Sequence, residues 1–174
     1  MTDADGIRFN ALRNALYHTA RRRFYERLDR VFTFAVIALG TVAVSDVLAA
    51  RGISQGEIAA VIAIAGALQL VFGFGGQARD HQALQRDYYR LLAEIEAVVA
   101  PGEEDIARWR GELVRITADE PPMMRAVDAK AYNDAIDGLG VYDGEERLMI
   151  PWHHGLFGQV FSFEGMNYRK AGEA

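Results

Sequence analysis

The chain has 174 residues, no cysteine, and a formal net charge of −5 that comes from 24 acidic against 19 basic side chains. This length accommodates one domain. The missing thiols exclude a disulfide framework and any thiolate metal site. The net charge conceals a polarity: seven arginines (Arg8, Arg13, Arg21, Arg22, Arg23, Arg27, Arg30) lie within residues 8–30, and the acids concentrate at 94–105 and 119–146. A basic segment directly before an apolar run suits anionic lipid headgroups better than nucleic acid.

MTDADG at residues 1–6 is a small polar start expected to fray. From about Ile7 to Arg30 the chain has neither proline nor glycine. Leu12, Leu16, Ala20, Phe24, Leu28 and Phe32 fall on one i, i+4 row, the mark of a helix face. The arginines cover the remaining faces and read as solvated, apart from Arg27 and Arg30, which lie close enough to the apolar run to meet lipid headgroups. A leading helix is therefore expected over 7–50, running without interruption into an apolar span at 31–50.

Two apolar runs follow one another, VFTFAVIALGTVAVSDVLAA and IAAVIAIAGALQLVFGFGG, separated by RGISQGE. A bilayer core about 30 Å thick takes roughly 20 helical residues. Both runs match that length, so spans are expected at 31–50 and 58–76. The run 31–50 is too long and too far from the N-terminus for a secretory signal. Ser54 and Glu57 have the spacing of a capping box at the start of the second helix. Ala59, Ala63 and Ala67 form a small-residue ridge that permits close helix approach, against the first span or against a neighbouring protomer. Asp46 and Gln69 are the strongly polar groups in the spans. Their levels are about two turns out of register, which argues against a direct pair. Asp46 is either a wetted helix end or a group facing an oligomeric pore.

The second helix is expected over 55–99. Leu84, Tyr88, Leu91, Ile95 and Val98 have the 4-3-4-3 spacing of a coiled-coil seam, which Pro101-Gly102 ends. Antiparallel pairing about residue 53 brings together residues whose numbers sum to about 106. It sets Leu12, Leu16 and Phe24 near the levels of Ile95, Leu91 and Gln82. With the basic flanks, including Arg79, on one side and only Arg51 in the turn, both termini are expected in the cytoplasm.

Residues 102–174 read as a cytoplasmic helical cap and aromatic tail. Ile106, Trp109, Leu113 and Ile116 make one apolar stripe. Met124, Val127, Ala131 and Ala135 make the next, which Gly138 and Gly140 end. RLMIPWHHGLFGQVFSF gathers Trp152, Phe157, Phe161 and Phe163; it either lies at the headgroup interface or tucks against the stalk. The fold class is thus all-α: two long antiparallel helices forming a transmembrane hairpin with a coiled-coil-like stalk, followed by C-terminal helices.

Nothing in the chain argues for an enzyme, a cofactor or a metal. Gly73, Gly75 and Gly76 do not follow a strand and lack the Lys-Ser/Thr of a P-loop, so they read as a helix exit. His153-His154 lacks further ligands at metal-binding spacing. His18 and His81 read as single hydrogen-bonded helix residues. Asp128, Asp134 and Asp137 read as a solvated face.

The segments YHTARRRFYERLDR, RDHQALQRDYYRLLAEIE and ADEPPMMRAVDAKAYNDAI together resemble the SLATT family, the SMODS- and SLOG-associating two-transmembrane effector domains of bacteria. The similarity extends over about residues 8–165. Its most distinctive piece is the turn Asp119-Glu120-Pro121-Pro122 followed by Ala131-Tyr132-Asn133. The resemblance implies an oligomeric inner-membrane effector that forms pores or perturbs the membrane in bacterial and phage conflict. It also implies a cytoplasmic sensor or nucleotide-signalling partner, because this chain carries no fused sensor domain. Partners expected are the lipid bilayer and further copies of the chain; nucleic acid is not expected. Two other readings fit the same residues: a non-lytic membrane scaffold or regulatory subunit that binds a cytoplasmic partner, and a soluble helical assembly protein with a buried apolar hairpin.

Overall fold

A computed structural model describes residues 3–173. The fold is all-α, 75% helical, with no strand among the described residues. In chain order the helices are α1 (Asp3–Leu39), α2 (Val42–Ala49), α3 (Gln55–Phe72), α4 (Phe74–Glu96), α5 (Glu103–Ala118), α6 (Arg125–Leu139) and α7 (Trp152–Phe157). The chain divides into two compact units, one of Met1–Arg21 with Asp80–Ala174, the other of Arg22–Arg79.

The polar start is helical from Asp3 onward, and the remainder of that segment, residues 1–2, lies outside the described residues. Asp3 and Asp5 occupy the first turn, where negative charge favours the helix dipole, and Asp3 accepts from Arg110 at 3.0 Å.

In the first unit, α1 is apolar on two faces. Ile7, Ala11 and Ala15 pack with Leu84, Tyr88, Leu91 and Ile95 of α4 and with Trp109 and Ile116 of α5; Val98, Ile106 and Leu113 border this core. The two alanines are wholly buried, and their small size lets the bulky side chains of α4 and α5 close over the α1 backbone. Leu12 and Leu16 instead pack with Phe9, Ala135 and Ile136, on the α6 side. This departs from the expected pairing of Leu12 and Leu16 with α4. Ala11 and Ala15 lie one residue, about 100°, from Leu12 and Leu16 around the helix, and the α4 contact follows the alanine row. Ala131, Val127 and Tyr17 form a third cluster bordered by Met124. Helix α6 continues through Gly138 to Leu139 and is capped by Gly140.

Of the three acids expected on a solvated face, Asp128 is interior, whereas Asp137 is exposed and Asp134 partly so. Asp128 is buried and receives Arg13 through two parallel bonds, Nε to Oδ1 at 2.8 Å and Nη2 to Oδ2. The Arg13 guanidinium also lies 5.7 Å from the Tyr132 ring centroid. Asp134 and Asp137 are paired as well, with Lys130 and Arg147. Helix period places Asp128 on the α1-facing side of α6, where a carboxylate is stable only with a matching cation.

The second unit holds both apolar runs. The first is not one straight helix. Helix α1 stops at Leu39, Gly40-Thr41 breaks it, and α2 leaves at 73° to α1. Glycine costs a helix interior about 1 kcal/mol relative to alanine, and the Thr41 hydroxyl bonds the Ala38 carbonyl at 2.8 Å, supporting a turn in place of the helical ladder. The continuous leading helix over 7–50 is thereby corrected, and nine helical residues of the run remain in α1, about 14 Å of rise.

The second run opens with the capping box: Ser54 Oγ accepts from Glu57 N and the Glu57 carboxylate accepts from Ser54 N. Helix α3 ends at Phe72 on Gly73, whose φ of +54° is left-handed, and α4 resumes at once. The expected single helix over 55–99 is therefore interrupted at Gly73 and ends at Glu96. Only a residue without Cβ takes that conformation cheaply. Residues Gln55–Glu96 together are long and apolar enough to cross a membrane; a second crossing exists if α1 and α2 count as one broken span.

Candidate functional site

A chain of buried polar side chains runs through the first unit. His18 on α1 and His81 on α4 are almost fully buried, with their Nδ1 atoms 2.8 Å apart. His18 Nε2 lies 3.0 Å from Glu120 Oε1. The Tyr88 hydroxyl donates to the same oxygen at 2.5 Å and lies 3.0 Å from Thr117 Oγ1. The His18 ring stacks on Tyr88 at 5.7 Å and 11°. Four segments thus meet: α1, α4, the end of α5, and the Asp119–Pro122 turn.

Local sequence explains how Glu120 comes to be there. Thr117 and Asp119 close α5, and Pro121 and Pro122 cannot continue it. Proline also restricts the residue before it to extended backbone, so Glu120 leaves the helix at a set angle. Beyond the prolines, the Met124 amide donates to Tyr17 Oη at 3.0 Å and α6 begins.

The hydrogen-bond order is set by donor counting. With Glu120 as acceptor, His18 Nε2–H donates to it, and His18 Nδ1 then accepts from His81 Nδ1–H. Both rings are neutral in that arrangement. Burial, with smaller contributions from His18 and Arg21, pushes His81 down to about 3. Burial, together with the bond to Glu120, also pushes the Tyr88 phenol well above its usual range, and burial raises Tyr17. The network therefore holds protons in fixed places. It contains no activated nucleophile.

The other residues singled out in the sequence lie as follows. Leu84, Tyr88, Leu91 and Ile95 are buried in the core, with Val98 at its edge. Ala59, Ala63 and Ala67 are all exposed; the buried residues of α3 are Ile58 and Ala65, so the ridge does not pack against the first apolar run within this chain. Gln69 Nε2 donates to Thr33 Oγ1 at 2.8 Å and to Asp29 Oδ1 at 3.3 Å, two residues not marked by the spacing argument. Asp46 is exposed, on the rim of a 280 Å³ groove with Gly40, Thr41 and Ile58. Arg27, Arg30 and Arg79 are exposed. A Cβ on Gly75 would meet Asp29 Oδ1 at 3.4 Å, which marks a close-packed helix exit.

His153 and His154 diverge. His153 is exposed, whereas His154 is buried, stacked on Phe163 at 3.9 Å and 2.9 Å from Tyr168 Oη. Among the described residues no group of three His, Asp or Glu is placed to hold a metal ion. A cleft of about 630 Å³ lies beside Arg8, Glu96, Ile106 and Trp109.

Sequence reasoning treated His18, His81 and Glu120 separately. The expected register gave no signal for the pair, because His18 and His81 are offset from it by about two turns, much as Asp46 and Gln69 are. Comparisons with protein-family models, with curated proteins and with solved structures found no match.

Proposed function

We propose that this chain is a non-enzymatic integral membrane protein of the SLATT kind. Its apolar hairpin inserts in a bacterial inner membrane and self-associates, and its first unit stays in the cytoplasm with both termini. The observation that carries the reading is exposure. Within the most apolar 18-residue window of Gln55–Glu96 only 17% of residues are buried, whereas the apolar helix of a soluble protein is mostly covered. Val61, Ile64, Leu70, Val71 and Phe72 of α3 and Val31, Phe34 and Ile37 of α1 all face outward. In lipid that surface is solvated by acyl chains or by copies of the same hairpin.

Self-association is supported by the open Ala59, Ala63, Ala67 ridge, which permits helices to approach closely. A pore needs several protomers, because one hairpin encloses no lumen. A cytoplasmic signalling partner would act through the first unit, where the His18–Glu120 network joins four segments.

Membrane fractionation followed by vesicle leakage tests this. The protein is expected to resist alkaline extraction, dissolve only in detergent, and release dye from loaded vesicles. Recovery in the soluble fraction would overturn the membrane reading. A second reading, a non-lytic membrane scaffold, is favoured by the break at Gly40-Thr41, which leaves one unbroken span-length run per protomer. Full dye retention by inserted protein would select it.

A further inference from the structure

The two apolar runs hold few polar side chains. Residues 31–50 and 58–76 carry Thr33, Thr41, Ser45, Asp46 and Gln69. Thr41, Ser45 and Asp46 line the groove beside Ile58, at the turn end of the hairpin. Thr33 and Gln69 belong to the other end, close to Asp29, which immediately precedes the first run. There the Gln69 amide donates to Thr33 Oγ1 at 2.8 Å and to Asp29 Oδ1 at 3.3 Å, and all three residues are half-buried. Both hydrogens of the amide nitrogen are thereby taken up. Gly75 lets α4 close on the Asp29 carboxylate. A Cβ there would lie 3.4 Å from Asp29 Oδ1 and 3.7 Å from Arg79 Nη1. Helix α1, helix α3 and the start of α4 thus meet at one polar clamp, inside a single compact unit of the chain.

What the hairpin turns outward at this end is apolar. Val31, Phe34, Ile37, Ile64 and Val71 are exposed, as is Ala67. Protomers assembled in this conformation would wall any passage at the clamp end with hydrocarbon side chains. A constriction of that kind excludes water and ions by dewetting. Polar groups within a membrane face either a partner or water, and those that face water mark ion paths. Gln69 and Asp29 are the groups able to line such a path here, and in this structure they face each other. Hydrocarbon supplies no water to replace their bonds, so the contact holds the hairpin in this state.

We propose that the Asp29–Thr33–Gln69 clamp is an autoinhibitory contact that keeps the hairpin sealed. Its release turns Gln69 and Asp29 away from each other and toward the lumen of an assembled pore. The clamp end is the end flanked by the exposed Arg27, Arg30 and Arg79. This inference rests on the pore-forming membrane reading given above and names the contact that keeps the pore shut.

Dye-loaded vesicles containing phosphatidylglycerol and the full chain test it, with insertion of every variant checked by flotation after an alkaline wash. Thr33→Val keeps the side-chain shape, removes the nearer acceptor, and leaves Gln69 and Asp29 in place. It should release dye several-fold faster than the unmodified protein at equal inserted amount. The chain has no cysteine, so a Thr33→Cys, Gln69→Cys double variant can be bridged at the clamp by ethane bismethanethiosulfonate and freed by dithiothreitol. The bridged form should retain dye, and reduction should restart release, a reversal that a misfolded variant would not show. If Thr33→Val fails to insert, the double variant before and after bridging supplies the same comparison. Equal release from the unmodified, Thr33→Val and bridged proteins overturns the inference and leaves the pore in place. Faster release that bridging does not slow also overturns it. Dye retention by every inserted protein removes the pore and this inference together, and protein that does not float removes the membrane reading as well.

Discussion

The Nδ1 atoms of His18 and His81 face each other at 2.8 Å inside the first unit, shielded from solvent. One of the two must carry the Nδ1 proton and the other the lone pair. A second proton on the pair would set N–H against N–H, with Arg21 from α1 adding a further positive charge, and Glu120 is the acidic partner of His18 alone. The pair therefore joins α1 to α4 only while at least one ring is neutral.

Stability should consequently fall in acid. His81 is held at about 3 in the folded protein, against 6.5 when unfolded, so between these values the unfolded chain binds the extra proton. The stabilisation is complete above pH 6.5 and is lost as pH falls from 6.5 toward 3, by up to about 1.4 kcal/mol per pH unit for one site. The groups facing His81, namely His18, Tyr17 and the positive charge of Arg21, remain in place in a His81→Gln variant. Thermal unfolding between pH 7.5 and 5 should show a shallower decline for that variant than for the unmodified protein; equal slopes would remove His81 as the cause.

Glu120 is the shared acceptor of His18 and Tyr88. Glu120→Ala leaves two donors without it in a dry interior and should cost roughly 2–4 kcal/mol. Glu120→Gln retains an acceptor oxygen and should cost clearly less. Denaturant titration of both separates loss of the hydrogen bonds from loss of the charge.

The Arg13–Asp128 pair invites a double-mutant cycle. Asp128 is almost fully covered and Arg13 partly so, with side-chain exposures of 6% and 27%. Asp128→Ala and Arg13→Ala should each destabilise by about 2–4 kcal/mol, and the double variant by less than their sum, with a coupling of about 1–3 kcal/mol. Additive losses would mean that the two side chains act independently.

At Gly158 a methyl group would meet Ala126 Cβ at 2.7 Å and the His154 carbonyl at 2.6 Å. Gly158→Ala should lift α7 from α6 at a cost of about 1–3 kcal/mol. Faster proteolytic cleavage within residues 148–163, with helix content retained, is the expected readout.

Ala63 is exposed on the helix ridge of α3. Ala63→Phe should leave the protomer folded while weakening close helix association between copies. Chemical cross-linking in vesicles measures this, and an unchanged cross-linking ladder would exclude the ridge from assembly.

Much of the architecture was legible in the sequence for reasons that are local. Apolar runs of span length, the Ser54–Glu57 capping spacing, the 4-3-4-3 row from Leu84 to Val98 and the proline stop at Pro101 each act within a few residues of themselves, so helix type and the main helical stretches could be read directly. Gly40-Thr41 was equally visible, yet whether it breaks a helix depends on a balance of about 1 kcal/mol, which composition alone does not decide.

The sequence by itself determined an all-α chain, its main helical segments, and which stretches are too apolar for ordinary soluble surface. Only the tertiary structure decided which of the two apolar faces of α1 meets α4, that Asp128 is interior, and that His18, His81, Glu120 and Tyr88 form one network. The physical reason is distance along the chain. His18 and Glu120 are 102 residues apart, and a hydrogen bond between them exists only because helices remote in sequence pack at one register. Backbone propensity and hydrophobic period specify helices one at a time, whereas a buried polar contact is specified by where three of them cross.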